Sequence, residues 1–263
     1  MASHGWTLLR RALRSLPVAA WPASCAACGA PLPAAAVRGV CPACWVSPPP
    51  VVPPACPTCA LPLPRGERCP DCSGRARGAL PDGAAAAWLY GGRTVRLHRL
   101  LKFQGDLRLA GPLAERMARA HLLAGLPPPD LVVPVPPDPS RSRGRGRVPS
   151  LLARHVAGRL GRPLLPGALR KVRPTPSQAT APGRAERETN LRGAFHAREE
   201  AVRGRSILVV DDVATTGSTL REAVRALRAG GAALVATLVL ARTPRRVPAF
   251  PARSRGADRA RAG

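Results

Sequence analysis

Four cysteine pairs constrain the early part of this chain more tightly than any other feature. All eight cysteines lie between residues 25 and 72, as Cys25/Cys28, Cys41/Cys44, Cys56/Cys59 and Cys69/Cys72. Nothing in a disulfide framework requires every pair to share one spacing. Tetrahedral zinc binding favours it, because two thiolates on a tight knuckle reach one ion and a second knuckle completes four ligands. Twelve residues separate Cys28 from Cys41 and nine separate Cys59 from Cys69, which fits two sequential ribbons. Gly29 follows the first knuckle, where a left-handed residue eases the turn. "CPAC", "CPTC" and "CPDC" carry a proline inside the pair, which pre-sets a turn. Cysteine fills all four positions at each site, so the two expected zinc ions are structural. They would fold a segment too small and proline-rich for its own core. Docking of nucleic acid or protein is the other role open to it. Thiolate-bound zinc implies a reducing compartment, hence the cytoplasm.

The second constraint is "ILVVDDVATTGSTL", residues 207–220. Four apolar residues, three of them β-branched, run into Asp211 and Asp212. In an open parallel sheet, ligands sit beyond the carboxyl ends of the strands. The small and hydroxyl-bearing residues that follow lead into a helix N-terminus. Their backbone N–H groups, the hydroxyls of Thr215, Thr216, Ser218 and Thr219, and the flexible Gly217 make a cradle for a phosphate. A phosphate cradle beside two carboxylates suits a sugar phosphate, with the anion on the loop and the hydroxyls on the acids. Gly-Lys-[Ser/Thr] is absent, so this is not a Walker A loop. G-x-G-x-x-G is absent too, which removes the dinucleotide fingerprint.

Around that motif, strands and helices alternate. Residues 84–90 read as an edge strand, reached through a linker over 73–87. Helical patterns cover 93–103 and 106–125, and 131–137 is a short buried strand ending in prolines. Residues 149–161 are helical, 206–210 a strand, 217–229 a helix, and 233–240 another buried strand. Continuously apolar late strands argue for a parallel α/β sheet flanked by helices on both faces. The expected organisation is a basic amphipathic segment over 1–21, the ribbon module over 22–75, the α/β domain over 84–242 and a disordered basic tail over 243–263. Trp6, Leu9, Leu13 and Leu16 give the first segment an apolar face, with Arg10, Arg11 and Arg14 off it. Such a helix docks on its own protein or lies on a membrane surface. No uninterrupted apolar run reaches the roughly 20 residues of a membrane span.

A chain of 263 residues holds one sizeable core and a small module. Its formal net charge of +26, from 41 Lys+Arg against 15 Asp+Glu, points to an acidic partner such as nucleic acid, a phosphorylated ligand or an anionic membrane surface. Lys102 and Lys171 are the only lysines, so arginine supplies nearly all of the charge, and a compositional bias toward arginine, alanine, glycine and proline is the competing explanation.

"VVDDVATTGST" closely resembles the 5-phosphoribosyl-1-pyrophosphate (PRPP) signature of type I phosphoribosyltransferases. With the four cysteine pairs, "HRLLKFQGD" (98–106), "VVPVPPDPSRSRGRG" (132–146) and "QATAPGRAERETNLRGAF" (178–195), the chain resembles the ComF family of competence-associated proteins over roughly residues 22–242. The resemblance implies a double zinc ribbon on a type I phosphoribosyltransferase-like domain, with a role in single-stranded DNA uptake alongside competence machinery. It implies that Asp211 and Asp212 hold the ribose hydroxyls of PRPP or a similar ribose phosphate, directly or through Mg²⁺. Thr215, Thr216, Gly217, Ser218 and Thr219 take the 5′-phosphate in this reading. Lys102 and Arg143 stand where they could neutralise pyrophosphate as it leaves. Where many relatives read Arg-Gly-Phe-Asn-Gln, this chain has Arg145-Gly146-Arg147-Val148-Pro149, without the amide side chains that could position a substrate. Three functions stay open: a PRPP-binding competence protein, a salvage-type transferase with a small nitrogenous acceptor, and a PRPP-sensing zinc-ribbon adaptor. Scarce aromatics, 3% of the chain, weigh against a base-stacking hood.

Overall fold

Each cysteine knuckle closes through its own backbone. The computed structural model describes residues 23–52, 54–64, 67–138, 147–175 and 189–244. The expected N-terminal segment 1–21, Arg143 with Arg141 and Arg145, the 178–188 run and the tail from 245 lie outside the described residues. In the unit Met1–Val46, Cys25 N–H donates to the Ala30 carbonyl at 2.7 Å and Gly29 N–H returns to the Cys25 carbonyl at 2.7 Å. Gly29 takes the left-handed φ of 77° expected of it. The partner knuckle follows a Val37–Val40 bridge and enters a short helix, α1 (Pro42–Val46), with proline in the first turn, where its missing N–H costs nothing. Buried Trp45 backs this knuckle and donates from Nε1 to the Val37 carbonyl at 3.2 Å.

The unit Ser47–Gly263 holds the second ribbon together with the sheet. Its first knuckle repeats the earlier one: Cys56 N–H donates to Leu61 O and Ala60 N–H to Cys56 O, both at 2.8 Å. In chain order its strands are β1 (Gly83–Leu89), β2 (Leu131–Pro134), β3 (Leu169–Lys171), β4 (Phe195–Ala197), β5 (Ser206–Ala214) and β6 (Leu234–Arg242). Four of them form the expected parallel sheet in the order β1-β6-β5-β2, and β3 pairs antiparallel with β4. Ile207 to Val210 are wholly buried, as a strand covered on both faces must be.

The main helices are α2 (Gly92–Phe103), α3 (Ala110–Leu123), α4 (Val148–Leu160), the short α5 (Glu199–Val202) and α6 (Ser218–Ala229). On one face α3 packs on β1 and β6, and α4 on β5 and β2. On the other, Ala223, Val224 and Leu227 of α6 join Ile207, Val209 and Val235 in one core cluster with Phe195 and Val202. Both sheet edges are blunted. Leu89 N–H donates to the Pro49 carbonyl at 2.8 Å beside β1, and Leu165 N–H to the Val132 carbonyl at 3.0 Å beside β2. Among the described residues, no helix is long and apolar enough to cross a membrane.

The structure departs from the sequence-based expectations in four places. β5 runs to Ala214 rather than stopping at 210, because Asp211 and Val213 still pair with Val239 and Ala241 of β6. The stretch read as a linker carries a 3-10 turn, Arg77–Ala79, packed on α6, and Asp82 accepts from Val235 N–H and Arg228, both at 2.8 Å. The helical pattern over 106–125 divides into a 3-10 turn, Leu107–Leu109, and α3. The β3–β4 pair was not expected, since three-residue strands carry no measurable periodicity.

Candidate functional site

The last pleats of β5 carry the two acids into a cavity of about 470 Å³. Asp211 and Asp212 are consecutive on the strand, and both line the cavity. Asp212 meets α2, where His98 and Lys102 stand one turn apart on one helix face. Its Oδ2 lies 2.9 Å from His98 Nε2 and accepts from Lys102 Nζ at 2.9 Å, while Oδ1 accepts the Val213 N–H at 2.8 Å. Burial by itself would raise the Asp212 pKa. The bond to His98 and the charge of Lys102 outweigh it and hold the carboxyl well below the usual range. On the other side of His98, Nδ1 lies 3.5 Å from the Tyr90 hydroxyl, with the two rings edge to face.

Asp211 has a different environment. Its Oδ1 accepts the Asp212 N–H at 2.8 Å, and among the described residues no cation bonds it. Burial first, and the Asp212 charge second, push its pKa well above the ordinary carboxylate value. The site therefore holds one compensated and one uncompensated carboxyl side by side.

Beyond β5 the chain turns into α6 through Gly217, whose φ is 74°. A Cβ there would also stand 3.1 Å from Arg221 Nη1, so both conformation and space favour glycine. Arg221 donates from Nη1 to the Thr216 carbonyl at 2.8 Å, which fixes the turn from behind. Thr216 and Ser218 share a hydroxyl hydrogen bond. Gly217 at the N-cap has no side chain to cap the helix, and Ser218 N–H makes only a long contact, 3.4 Å, to the Thr216 hydroxyl, so the amides of this turn are weakly held and accessible to a ligand. Thr215, Thr216, Gly217, Ser218 and Thr219 all line the cavity with the two acids.

Three groups on the remaining wall were not among the candidate site residues of the sequence. Asp138, past the end of β2, pairs with Lys171 of β3, and both are nearly buried. Thr175 joins them: its N–H donates to Asp138 at 3.2 Å, and its hydroxyl accepts from Lys171 at 2.6 Å. His98 and Tyr90 were missed as well. The i, i+4 spacing of His98 and Lys102 was the one signal that could have brought His98 forward. Lys102 lines the cavity while paired to Asp212, and Arg143 lies outside the described residues.

The cysteines form two clusters, Cys25/Cys28/Cys41/Cys44 and Cys56/Cys59/Cys69/Cys72, with ligand atoms within 4.8 Å of one another in each. Sγ atoms lie 3.9 Å apart for Cys25–Cys44, 3.8 Å for Cys28–Cys41, 3.9 Å for Cys56–Cys72 and 3.6 Å for Cys59–Cys69. A tetrahedron of Zn–S bonds near 2.3 Å has edges of about 3.8 Å, so each cluster has the size zinc requires.

Comparison with known proteins matches both parts of the chain. A double zinc ribbon domain model matches residues 18–73, and a phosphoribosyl transferase domain model matches residues 150–250. The "DNA utilization protein YhgH" of Salmonella typhi is 35% identical over 148 residues, covering 54% of this chain and 64% of the relative. The protein of the same name in Escherichia coli (strain K12) is 42% identical over 76 residues, 29% of this chain and 33% of the relative. The matched stretch thus spans less than two thirds of these relatives' length. Among solved structures, the glutamine PRPP amidotransferase from B. subtilis complexed with ADP and GMP aligns at 25% identity with a TM-score of 0.35, over 50% of this chain and 26% of that one.

Proposed function

We propose that this chain, a double zinc ribbon joined to a phosphoribosyltransferase domain, is a ComF-type protein whose cavity binds PRPP with Mg²⁺ and which assists the handling of single-stranded DNA during uptake. The observation that carries this reading is the Asp211–Asp212 pair, which runs directly into an uncapped helix N-terminus on one wall of a cavity of about 470 Å³. The amides and hydroxyls of 215–219 take the 5′-phosphate. The two carboxylates accept the ribose hydroxyls, and Asp212 is oriented for that by His98 and Lys102. Asp211, buried beside a like charge, is the group a divalent cation would suit. When bound with pyrophosphate, Mg²⁺ stabilises negative charge on the oxygens it touches. Thiolate ligation of zinc fits a protein of the reducing cytoplasm.

Calorimetry tests the site. Asp212→Asn should lower PRPP–Mg²⁺ affinity about tenfold to a hundredfold, the loss of a charged hydrogen bond. Absence of heat from wild type at millimolar PRPP–Mg²⁺ overturns the reading. The acids also set opposite pH dependences. Asp211 has a raised folded pKa, so the folded state binds the extra proton, and stability falls as pH rises through that value. Asp212 has a depressed one, so its contribution is present above the ordinary carboxylate range and lost as pH falls below it. Asp211→Asn should therefore raise the ligand-free Tm more at about pH 8 than at about pH 5, by roughly 2–4 °C per kcal/mol relieved, while weakening PRPP–Mg²⁺ binding. Melting curves that do not separate with pH would contradict this account of Asp211.

Transfer of the phosphoribosyl group to a planar acceptor is the second reading. Three of the five aromatic side chains among the described residues, Tyr90, Phe103 and Phe195, line the cavity. Scarce aromatics thus gather where a base would stack. Pyrophosphate release from PRPP–Mg²⁺ in the presence of candidate bases tests it, and no release with any base removes it. The nucleic-acid partner follows from the net charge of +26. Micromolar binding of a labelled single strand should weaken with salt at a log–log slope of about −0.7 per phosphate neutralised. Truncation after Arg242 should reduce that binding, and if truncation abolishes it the charge is a nonspecific tail.

A further inference from the structure

Arg242 ends β6 with a side chain that is 1% exposed. A guanidinium in such a place is costly unless its donors are met. They are met by two separate parts of the protein. Nη2 donates to Asp71 Oδ2 at 2.7 Å, and Nε to the Cys59 carbonyl at 3.1 Å. Nη1 donates to the Ala214 carbonyl at 3.1 Å and to the Thr215 carbonyl. Asp71 lies inside the fourth cysteine pair, next to Cys72, and its side chain is 3% exposed. One side chain thus ties the second zinc cluster to the backbone of the phosphate loop. In a trans peptide the C=O and N–H point in opposite directions. Carbonyls 214 and 215 drawn toward Arg242 turn the N–H groups of 215 and 216 away from it, on the side opposite the ribbon. The free space between ribbon and loop, lined by Cys59, Cys72, Ala214 and Gly217, is about 20 Å³. That is room for about one water, so little motion of the ribbon is absorbed before it reaches the loop.

We propose that Arg242 and Asp71 are positioning residues that couple the second zinc ribbon to the phosphate loop. The zinc-loaded knuckle holds Asp71, Asp71 holds Arg242, and Arg242 sets the peptide planes of 214–216 for the anion. For its ligand the inference rests on the PRPP reading, while the link between ribbon and loop stands independently of it. Coupling of this kind is reciprocal: a ligand that fixes the loop also slows loss of zinc from the second ribbon.

The test uses the full-length, zinc-loaded protein. Hydrogen exchange without ligand compares wild type with Asp71→Asn and Arg242→Lys. Exchange at 215–219 is expected to accelerate about fivefold or more, with β1 and β5 unchanged through residue 210 and zinc still at two per chain. Loop exchange unchanged with both ions retained overturns the proposal. Equal acceleration throughout the sheet also overturns it, since that marks a general loss of stability. Where Asp71→Asn fails to retain zinc, Arg242→Lys decides, because lysine keeps the charge for Asp71 but cannot span both carbonyls. In a second measurement, PRPP–Mg²⁺ is expected to slow release of one of the two zinc ions to a chelator about fivefold, and Arg242→Lys to abolish that protection. If the loop responds to Asp71→Asn while PRPP–Mg²⁺ produces neither heat nor protection, the coupling stands and the PRPP reading falls. If PRPP–Mg²⁺ gives heat but neither protection nor a loop response appears, the coupling falls and the PRPP reading stands.

Discussion

The two zinc ribbons are built on one local plan and differ in what surrounds them. Ser24–Pro31 and Ala55–Pro62 are the same antiparallel bridge, around knuckles with matching hydrogen bonds. At the residue after the knuckle, Gly29 and Ala60 share a left-handed backbone, with φ of 77° and 56°. A Cβ on Gly29 would meet nothing within 4 Å, whereas Ala60 is buried in the core cluster of the sheet. In the partner knuckle the first ribbon has Ala43, exposed, and the second has Asp71, buried against Arg242. The comparison teaches that the cysteine spacing builds the knuckle. A few residues beside it decide whether the ribbon stands as its own small unit or becomes part of the unit that holds the parallel sheet.

The strongest way to break that distinction is to remove one ligand from each ribbon. Cys59→Ser should lower the melting temperature of the Ser47–Gly263 unit by roughly 10 °C, as the ribbon holding Arg242 loosens. Cys28→Ser should leave that transition nearly in place. Calorimetry with zinc analysis reads both, and equal shifts would erase the distinction. The next effect is of similar size and sharpens the role of the acid. Asp71→Ala leaves a buried guanidinium without its carboxylate and should cost about 3–5 kcal/mol. The converse change in the first ribbon, Ala43→Asp, adds an exposed carboxylate and should stay within about 0.5 kcal/mol. Denaturant titration measures both. The smallest effects are at the left-handed positions. Gly29→Ala should cost the first ribbon about 1–2 kcal/mol, visible as weaker zinc retention. Ala60→Gly relieves similar strain but gives up a buried methyl worth about 0.8 kcal/mol, so a change near zero is expected.

The knuckles, the parallel sheet and the acid-plus-loop segment were legible in the sequence because each is contiguous or periodic. Cys-x-x-Cys closes within one turn, and Ile207 to Thr219 carries strand, acids and loop in one run. The partners of those groups were not legible. His98 reaches Asp212 across 114 positions, and Arg242 reaches Asp71 across 171. The Asp138–Lys171–Thr175 cluster joins a loop after β2 to the end of β3 and the turn beyond it, with no spacing rule linking them. Arg242 in particular reads in the sequence as one more arginine at the border between the α/β domain and the basic tail.

The sequence by itself determined the local chemistry: thiolates paired for zinc, carboxylates at a strand end, and small hydroxyl residues opening a helix. These depend on geometry within a few residues, which spacing and pattern encode directly. Only the tertiary structure decided which carboxylate carries compensating charge, which ribbon joins the sheet, and that Arg242 lies between ribbon and loop. Those outcomes follow from burial. A charge removed from water must find its counter-charge wherever the packed chain brings one, and in this fold that partner lies far away in the sequence.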